Sequence, residues 1–363
     1  MNGPLNSLKV IEFSGLGPGP LAGQLLADLG ADVITIDRKS ADTDPTEINR
    51  RNKRSIALNL KSTEGLIIVK KIINNSDVLI EGFRPGVMER LGFTNKKVLK
   101  INPSLVYGRM TGWGQDGPNS YEAGHDLNYI GLSGALWYAS HPETPPFTPP
   151  ALVGDVGGGA LYLVIGILSA LLSTKESKKG TVIDAAIVDG SAHMMNLFMS
   201  LQNTGMFSTE RGGSLLDGPP WSRCYKTSDG LWMSVQCLEP KFYQEFLEKM
   251  GLSEHPLFQN QLNTENWPEM IITLEAMFLE KSLAEWVNEF DHSDACVGPV
   301  LDPISSMKDP HLSHRETWVE KDGLIQASPS PRFGKKSNQK IGKVPERGEH
   351  MQEILSEISN EKL

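Results

Sequence analysis

Two glycine-framed segments hold the residues best suited to acid–base chemistry. Gly124-His125-Asp126-Leu127-Asn128-Tyr129 places a histidine at the start of one expected helix. Gly154-Asp155-Val156-Gly157-Gly158-Gly159 places a carboxylate at the start of the next. Histidine titrates near neutrality, and a carboxylate can be tuned toward it by burial. Facing each other across an acidic carbon, the two would suit a two-base proton transfer. One would remove the proton from one face and the other return it on the opposite face. The anion formed between the steps needs preorganised donors, which backbone N–H groups at a helix start can supply. Each residue alone also reads as an N-cap, and for Asp155 alone that is the stronger reading. The glycines after Asp155 cost helix stability, and a ligand pressed against the backbone is the usual reason to tolerate them. Leu238-Glu239-Pro240 adds a third acid, which alone is again more often an N-cap.

Two other constellations point elsewhere. Gly17-Pro18-Gly19-Pro20-Leu21-Ala22 fits G-x-G-x-x-A between a strand and a helix, and Asp37 ends the next strand, as in a dinucleotide fingerprint. Pro18 and Pro20 remove N–H donors where a pyrophosphate would want them. A tight structural turn therefore outweighs NAD binding. Arg38, the run Asn49-Arg50-Arg51-Asn52-Lys53-Arg54, and Lys61 concentrate positive charge at strand ends. They could hold the 3′-phosphate and pyrophosphate of coenzyme A; a solvated charge run is the equally weighted alternative.

The elements that must position these residues alternate in type. Strands are expected over residues 9–14, 32–37, 55–60, 77–82, 105–111 and 181–186, with helices over 20–29 and 64–74. That βαβ rhythm predicts a mostly parallel sheet with ligands at the carboxyl ends of its strands. Further helices are expected over 127–138, 158–172 and 191–204, separated by a Pro-rich loop at 141–150. A hairpin over 223–237 with Ser-Asp-Gly at its turn precedes helices over 242–250, 270–279 and 283–290. The segment 309–343 reads as a surface wrap, and a last helix over 346–358 as a return to the first domain. The division is a large domain (1–205), a linker (206–222), a small domain (223–305), and a linker with C-terminal segment (306–363).

Bulk properties narrow the function classes. The 363 residues are 39% hydrophobic and 22% charged, with formal net charge −9, which argues against general nucleic-acid or anionic-membrane binding. Cys224, Cys237 and Cys296 form no CxxC pair or zinc spacing, so a reduced intracellular protein is expected. The longest apolar stretch, 160–172, is shorter than the roughly 20 residues that span a bilayer. The terminal Glu361-Lys362-Leu363 shares only two residues with the peroxisomal S-K-L address. A cytoplasmic setting is expected, with a peroxisomal or mitochondrial one as the eukaryotic alternative.

Taken together, nine segments resemble the family III CoA-transferase superfamily, and within it the 2-methylacyl-CoA racemase branch. They are IEFSGLGPGPLAGQLLADLGADVITIDR (11–38), NKRSIALNLK (52–61), DVLIEGFRPGVMERLG (77–92), MTGWGQDGP (110–118), AGHDLNYI (123–130), GDVGGGALYLVIGILSAL (154–171), LLDG (215–218), LEPKFY (238–243) and DACVGPVL (294–301). The resemblance implies an α/β fold, a Rossmann-like large domain with a smaller α+β domain, and two interlocked subunits in a homodimer. It implies that His125 and Asp155 are the catalytic bases and that Glu239 supports them, in the same chain or from the partner. It further implies that Arg38, Leu58, Asn59, Leu60, Lys61, Arg90 and the stretch Gly124 to Tyr129 (His125, Asp126, Leu127 and Asn128 between) contact an acyl-CoA substrate. Asn59 stands where many relatives have Asp. No metal or redox cofactor is implied, because CoA enters as part of the substrate. The rival within the superfamily is a CoA transferase, in which Asp155 would be a nucleophile carrying an acyl group. The histidine in GHDLNY and the run from Arg211-Gly212-Gly213-Ser214 into LLDG favour the racemase. Met194, Met195, Met199 and Met206 could form an adaptable acyl surface, although at helical spacing they are more often core.

Overall fold

The computed structural model describes residues 3–39, 42–334 and 341–359; the C-terminal Glu361-Lys362-Leu363 lies outside them. The described chain forms two compact units.

The first unit holds residues 1–136, 148–195 and 314–363. Its centre is a six-stranded, all-parallel sheet of β1 (Lys9–Phe13), β2 (Asp32–Arg38), β3 (Arg54–Leu58), β4 (Val78–Glu81), β5 (Val106–Thr111) and β6 (Thr181–Ala186), in the order β3-β2-β1-β4-β5-β6. Val, Ile and Leu runs make β1, β2 and β4, as the central strands of a sheet covered on both faces require. Helices α1 (Pro18–Asp28), α2 (Thr63–Asn74), α3 (Val87–Arg90), α4 (Asn95–Ile101) and α5 (Asp126–Leu132) fill the connections. Helix α1 carries both prolines in its first turn, where a missing N–H costs nothing. Helix α5 stops at Leu132, six residues before the expected end at 138. Gly134, at φ +85°, takes the left-handed conformation that ends a helix.

The largest local departure follows. A ten-residue π-helix, Leu152–Leu161, precedes α6 (Tyr162–Ser177), where the sequence pattern suggested a single helix over 158–172. The two run on as one 26-residue helix, long and apolar enough by length and composition to cross a bilayer. A buried core helix meets the same measure of length and composition. In this fold the helix buries Leu163, Val164 and Ile167 against the sheet and leaves Leu161, Ile165 and Leu172 exposed. Helix α7 (Ile187–Met194) follows β6 directly.

The second unit holds residues 137–147 and 196–313. It contains α8 (Asn196–Met199), α9 (Pro240–Met250), α10 (Trp267–Phe278), α11 (Leu283–Glu289) and α12 (Pro303–Ser306), with α13 (Pro310–His314) closing it. Its antiparallel sheet comprises β7 (Ser222–Lys226), β8 (Trp232–Gln236) and β9 (Val297–Pro299), the last a strand not foreseen. An aromatic core including Trp221, Tyr225, Phe246, Phe278 and Trp286 holds it together. The single helix expected over 191–204 is absent. Ser200 and Thr204 donate their hydroxyls to Leu197 and Leu201 carbonyls, a local alternative that competes with the helical ladder.

The C-terminal segment clusters with the first unit. It is more than a wrap: β10 (Trp318–Lys321) and β11 (Leu324–Ala327) form a hairpin, closed by Asp322 and Gly323, both at positive φ. Asp-Gly between two apolar runs is a type I′ hairpin signal that the sequence displayed and the reading above passed over. Helix α14 (Met351–Ser359) buries Ile354 and Ile358 against the sheet's helical layer.

Candidate active site

The sheet reverses its order between β1 and β4, and ligands in such folds bind outside the carboxyl ends of the strands at that point. A cavity of about 560 Å³ opens there. Its walls are the turn after β1 (Gly15 to Gly19), the turn after β4 (Gly82 to Pro85), the end of β5 with Trp113, and the start of α5. His125 and Asp155 both line it. The structure thus brings together two residues 30 positions apart, one at the N-cap position of α5 and one in the first turn of the π-helix.

Asp155 is not an N-cap. It lies inside the π-helix, and its carboxylate sits beside Gly17 in the turn after β1. Such helices are rare and concentrate at functional sites. The amides of Gly154 and Asp155 donate at 2.9 Å to Oδ1 of Asp126, which ties the π-helix to the start of α5. Burial pushes the Asp155 carboxyl above the usual carboxylate range, the negative charge of Asp126 pushes it further, and His125 opposes them. That moves its affinity for protons toward that of a histidine, which suits a pair that must exchange roles.

Of the glycines after Asp155, Gly158 has a structural reason. A Cβ on Gly158 would lie 2.7 Å from the amide nitrogen of Ser191, and one on Gly190 would lie 2.0 Å from the carbonyl oxygen of Gly158. The π-helix and α7 approach backbone to backbone, and only glycine fits.

On the opposite wall, Tyr129 donates its hydroxyl to the Gly124 carbonyl and packs edge-on against Trp113, with ring centroids 4.7 Å apart. This locks the segment carrying His125. Asn128 accepts from the His125 amide at 3.0 Å. Within the Gly124 to Tyr129 stretch, Gly124, His125 and Tyr129 line the cavity. Asp126 and Asn128 turn their side chains to backbone amides, and Leu127 is exposed.

The basic run falls to neither alternative weighed for it. Arg50 makes a two-pronged pair with buried Asp37 at 2.7 and 2.9 Å, and Arg51 does the same with buried Asp28. Lys53 holds buried Glu12 at 2.7 Å, and Arg54 reaches Asp32, Glu353 and Glu357. These four cations are structural bolts between strands, α1 and the C-terminal segment. Asp37, with Arg50, Ser55 and Arg347 on its carboxylate, has no free oxygen for a ribose.

Arg38 and Leu58 are register partners at the ends of β2 and β3. Arg38, Asn59 and Lys61 are exposed at that edge, Leu60 is half-buried, and Arg90 is exposed at the end of α3. None of these lines the cavity; Arg38, Leu58, Asn59, Leu60 and Lys61 lie at the carboxyl ends of β2 and β3, and the Arg90 guanidinium reaches back to Gly86, next to cavity-lining Pro85. Arg84 does line it, is exposed, and was missed. Its signal was present: an arginine three residues past the end of a strand, in the turn where such sheets bind ligands. Glu239 belongs to the second unit, at the N-cap position of α9; it is exposed, and its side chain makes no capping hydrogen bond. Met194 touches the backbone at Gly157 in the first unit, whereas Met199 and Met206 lie in the second. Burial raises all three thiols, Cys237 to about 12, which leaves little thiolate for nucleophilic chemistry. Among the described residues no group of three or more His, Cys, Asp or Glu is arranged to hold a metal ion.

The sequence pattern of CoA-transferase family III matches residues 5–351. The chain is 37% identical over 356 residues to alpha-methylacyl-CoA racemase of Mus musculus, covering 97% of this chain and 93% of that protein. It is 37% identical over 357 residues to the Homo sapiens protein of the same name, covering 98% and 93%. A crystal structure of a CAIB/BAIF family protein from Brucella suis superposes with a TM-score of 0.84 at 26% identity, covering 99% of this chain and all of that one.

Proposed function

The chain belongs to CoA-transferase family III, and from that premise we propose that it interconverts (2R)- and (2S)-2-methylacyl-CoA thioesters by moving the α-proton. The observation that carries this reading is the placement of His125 and Asp155 on one cavity at the switch point of the sheet. The thioester carbonyl acidifies its α-carbon. In one direction the Asp155 carboxylate takes the α-proton while the electron pair moves onto the thioester oxygen as an enolate. The His125 imidazolium then delivers a proton to the opposite face. In the other direction neutral His125 takes the proton and protonated Asp155 returns one. The first amides of α5 have no acceptor within the helix and can donate to the enolate oxygen.

The CoA part extends along the carboxyl edge of the sheet, where Arg38 and Lys61 meet its phosphates. Arg38→Ala is expected to raise KM for CoA esters about tenfold, as loss of one charge-assisted hydrogen bond does, with kcat little changed. An unchanged KM in steady-state kinetics would remove Arg38 from the binding site. Glu239 supports the base pair from the same or the partner subunit. The active form is an interlocked homodimer, a reading supported by the exposed stripe of Leu161, Ile165 and Leu172 on the long helix. CoA serves as part of the substrate, with no further cofactor.

The deciding experiment is proton NMR of each epimer with the protein in deuterated buffer, with and without a free carboxylic acid. Loss of the α-proton signal from both epimers without the acid is expected. CoA moving to the added acid, with no exchange, would make Asp155 a nucleophile and the chain a transferase.

A further inference from the structure

Asp126 has no role of its own in the proton transfer described above, yet it is the side chain that joins the two reacting groups. It follows His125 directly in the chain. Its Oδ1 accepts the amides of Gly154 and Asp155, both at 2.9 Å, so one oxygen fixes the backbone that carries the other base. The contact leaves no slack: a Cβ on Gly154 would lie 2.4 Å from the same oxygen. A π-helix is a strained turn that persists only when its surroundings hold it, and its first amides have no acceptor within the helix. The acceptor here comes from the helix bearing His125.

We infer that Asp126 is a positioning residue that registers Asp155 against His125 and places a fixed negative charge behind the Asp155 carboxylate. This inference rests on the two-base reading of the site. The charge is not needed for the hydrogen bonds, since a neutral amide oxygen would accept them equally well. Its effect falls on Asp155, whose ionised form it disfavours. The other groups around Asp155 are few. His125 and Tyr129 face it from α5, Glu122 and Arg84 line the same cavity, and the turn after β1 carries no charge. Helix α7, packed along the π-helix, carries Asp189 and His193, but the charges acting on Asp155 are those of Asp126 and His125. Removing the Asp126 charge therefore lowers the pH at which Asp155 ionises. The acid limb of kcat/KM reports the first proton lost from the coupled pair, so it moves to lower pH in both reaction directions.

Two variants separate charge from position. Asp126→Asn keeps the acceptor and loses the charge; the acid limb is expected to shift to lower pH with the fold unchanged. Asp126→Glu keeps the charge but pushes the acceptor out of register; kcat is expected to fall about 100-fold, as a misplacement near 1 Å does, with KM nearly constant. An acid limb at its wild-type position in Asp126→Asn, or a wild-type kcat in Asp126→Glu, would overturn the inference. So would loss of the folded state in both variants, which would make Asp126 a structural cap only. A carbon-13 NMR titration of the Asp155 carboxyl, assigned with Asp155→Asn, reads the same shift without turnover. If the wild-type protein moves no α-proton, the racemase reading fails while this titration still tests Asp126.

Discussion

Asp155→Ala is expected to lower racemisation about 10²- to 10⁴-fold, the range lost with a general acid–base group, while α-proton exchange continues for one epimer only. The surviving His125 still reaches the face it serves. It can take that epimer's proton, trade it with deuterated solvent and return a deuteron to the same face. The other epimer presents its proton to the missing carboxylate and stays unlabelled. His125→Ala is expected to show the complementary pattern, with Asp155 exchanging the epimer that Asp155→Ala leaves untouched. Both variants should fold, because His125 is exposed and the carboxylate of Asp155 is not among the groups that hold the π-helix. Proton NMR of each epimer in deuterated buffer distinguishes the outcomes. Equal residual exchange of both epimers in either variant would mean that a single base serves both faces. Wild-type turnover would sink the two-base mechanism altogether.

The second large effect concerns stability. Lys53→Met is expected to destabilise the protein by about 3–5 kcal/mol, the cost of stranding one member of a buried ion pair. Glu12 and Lys53 have side chains 2% and 1% exposed and meet at 2.7 Å. Lys53 also donates to the Pro20 carbonyl at 2.8 Å, which fastens β1 to the first turn of α1. Burial raises the Glu12 carboxyl and lowers the Lys53 ammonium from their ordinary values, so each charge persists through its partner. Met fills the volume but leaves Glu12 unpaired in a dry environment. The double replacement Glu12→Gln/Lys53→Met is expected to recover most of the loss, because removing both charges removes the desolvation cost along with the attraction. Urea unfolding followed by circular dichroism measures both. If the single variant unfolds at the wild-type midpoint, water reaches the pair and it is not buried in solution.

These two predictions rest on features of different legibility. The parallel sheet was readable because its strands are largely apolar runs of four to seven residues between glycines and capped helices, a local property. Strand β6 fell at the residues its pattern indicated, 181–186. The Asp322-Gly323 hairpin was equally local and was overlooked because the surrounding Pro, Lys and Ser obscured it. The ionic bolts could not be read. Charge composition marks where cations cluster, but whether Arg50, Arg51 and Lys53 face a ligand or buried carboxylates depends on residues 13 to 41 positions away. The basic run and the acids at positions 12, 28 and 37 were both visible; their pairing was not.

The candidate site divides in the same way. Residue types and their glycine frames determined that His125 and Asp155 are suited to acid–base work, and the matched segments determined the family. Only the tertiary structure decided that both line one cavity, because that depends on the reversal of strand order between β1 and β4. It also decided why positions 158 and 190 are glycine: there two backbones touch. And it decided what holds Asp155 in place, since a helix written as 3.6-residue periodicity gives no sign of the π-turn that Asp126 secures. Patterns along the chain carry propensity and chemistry; register between distant segments comes from packing, which no local pattern encodes.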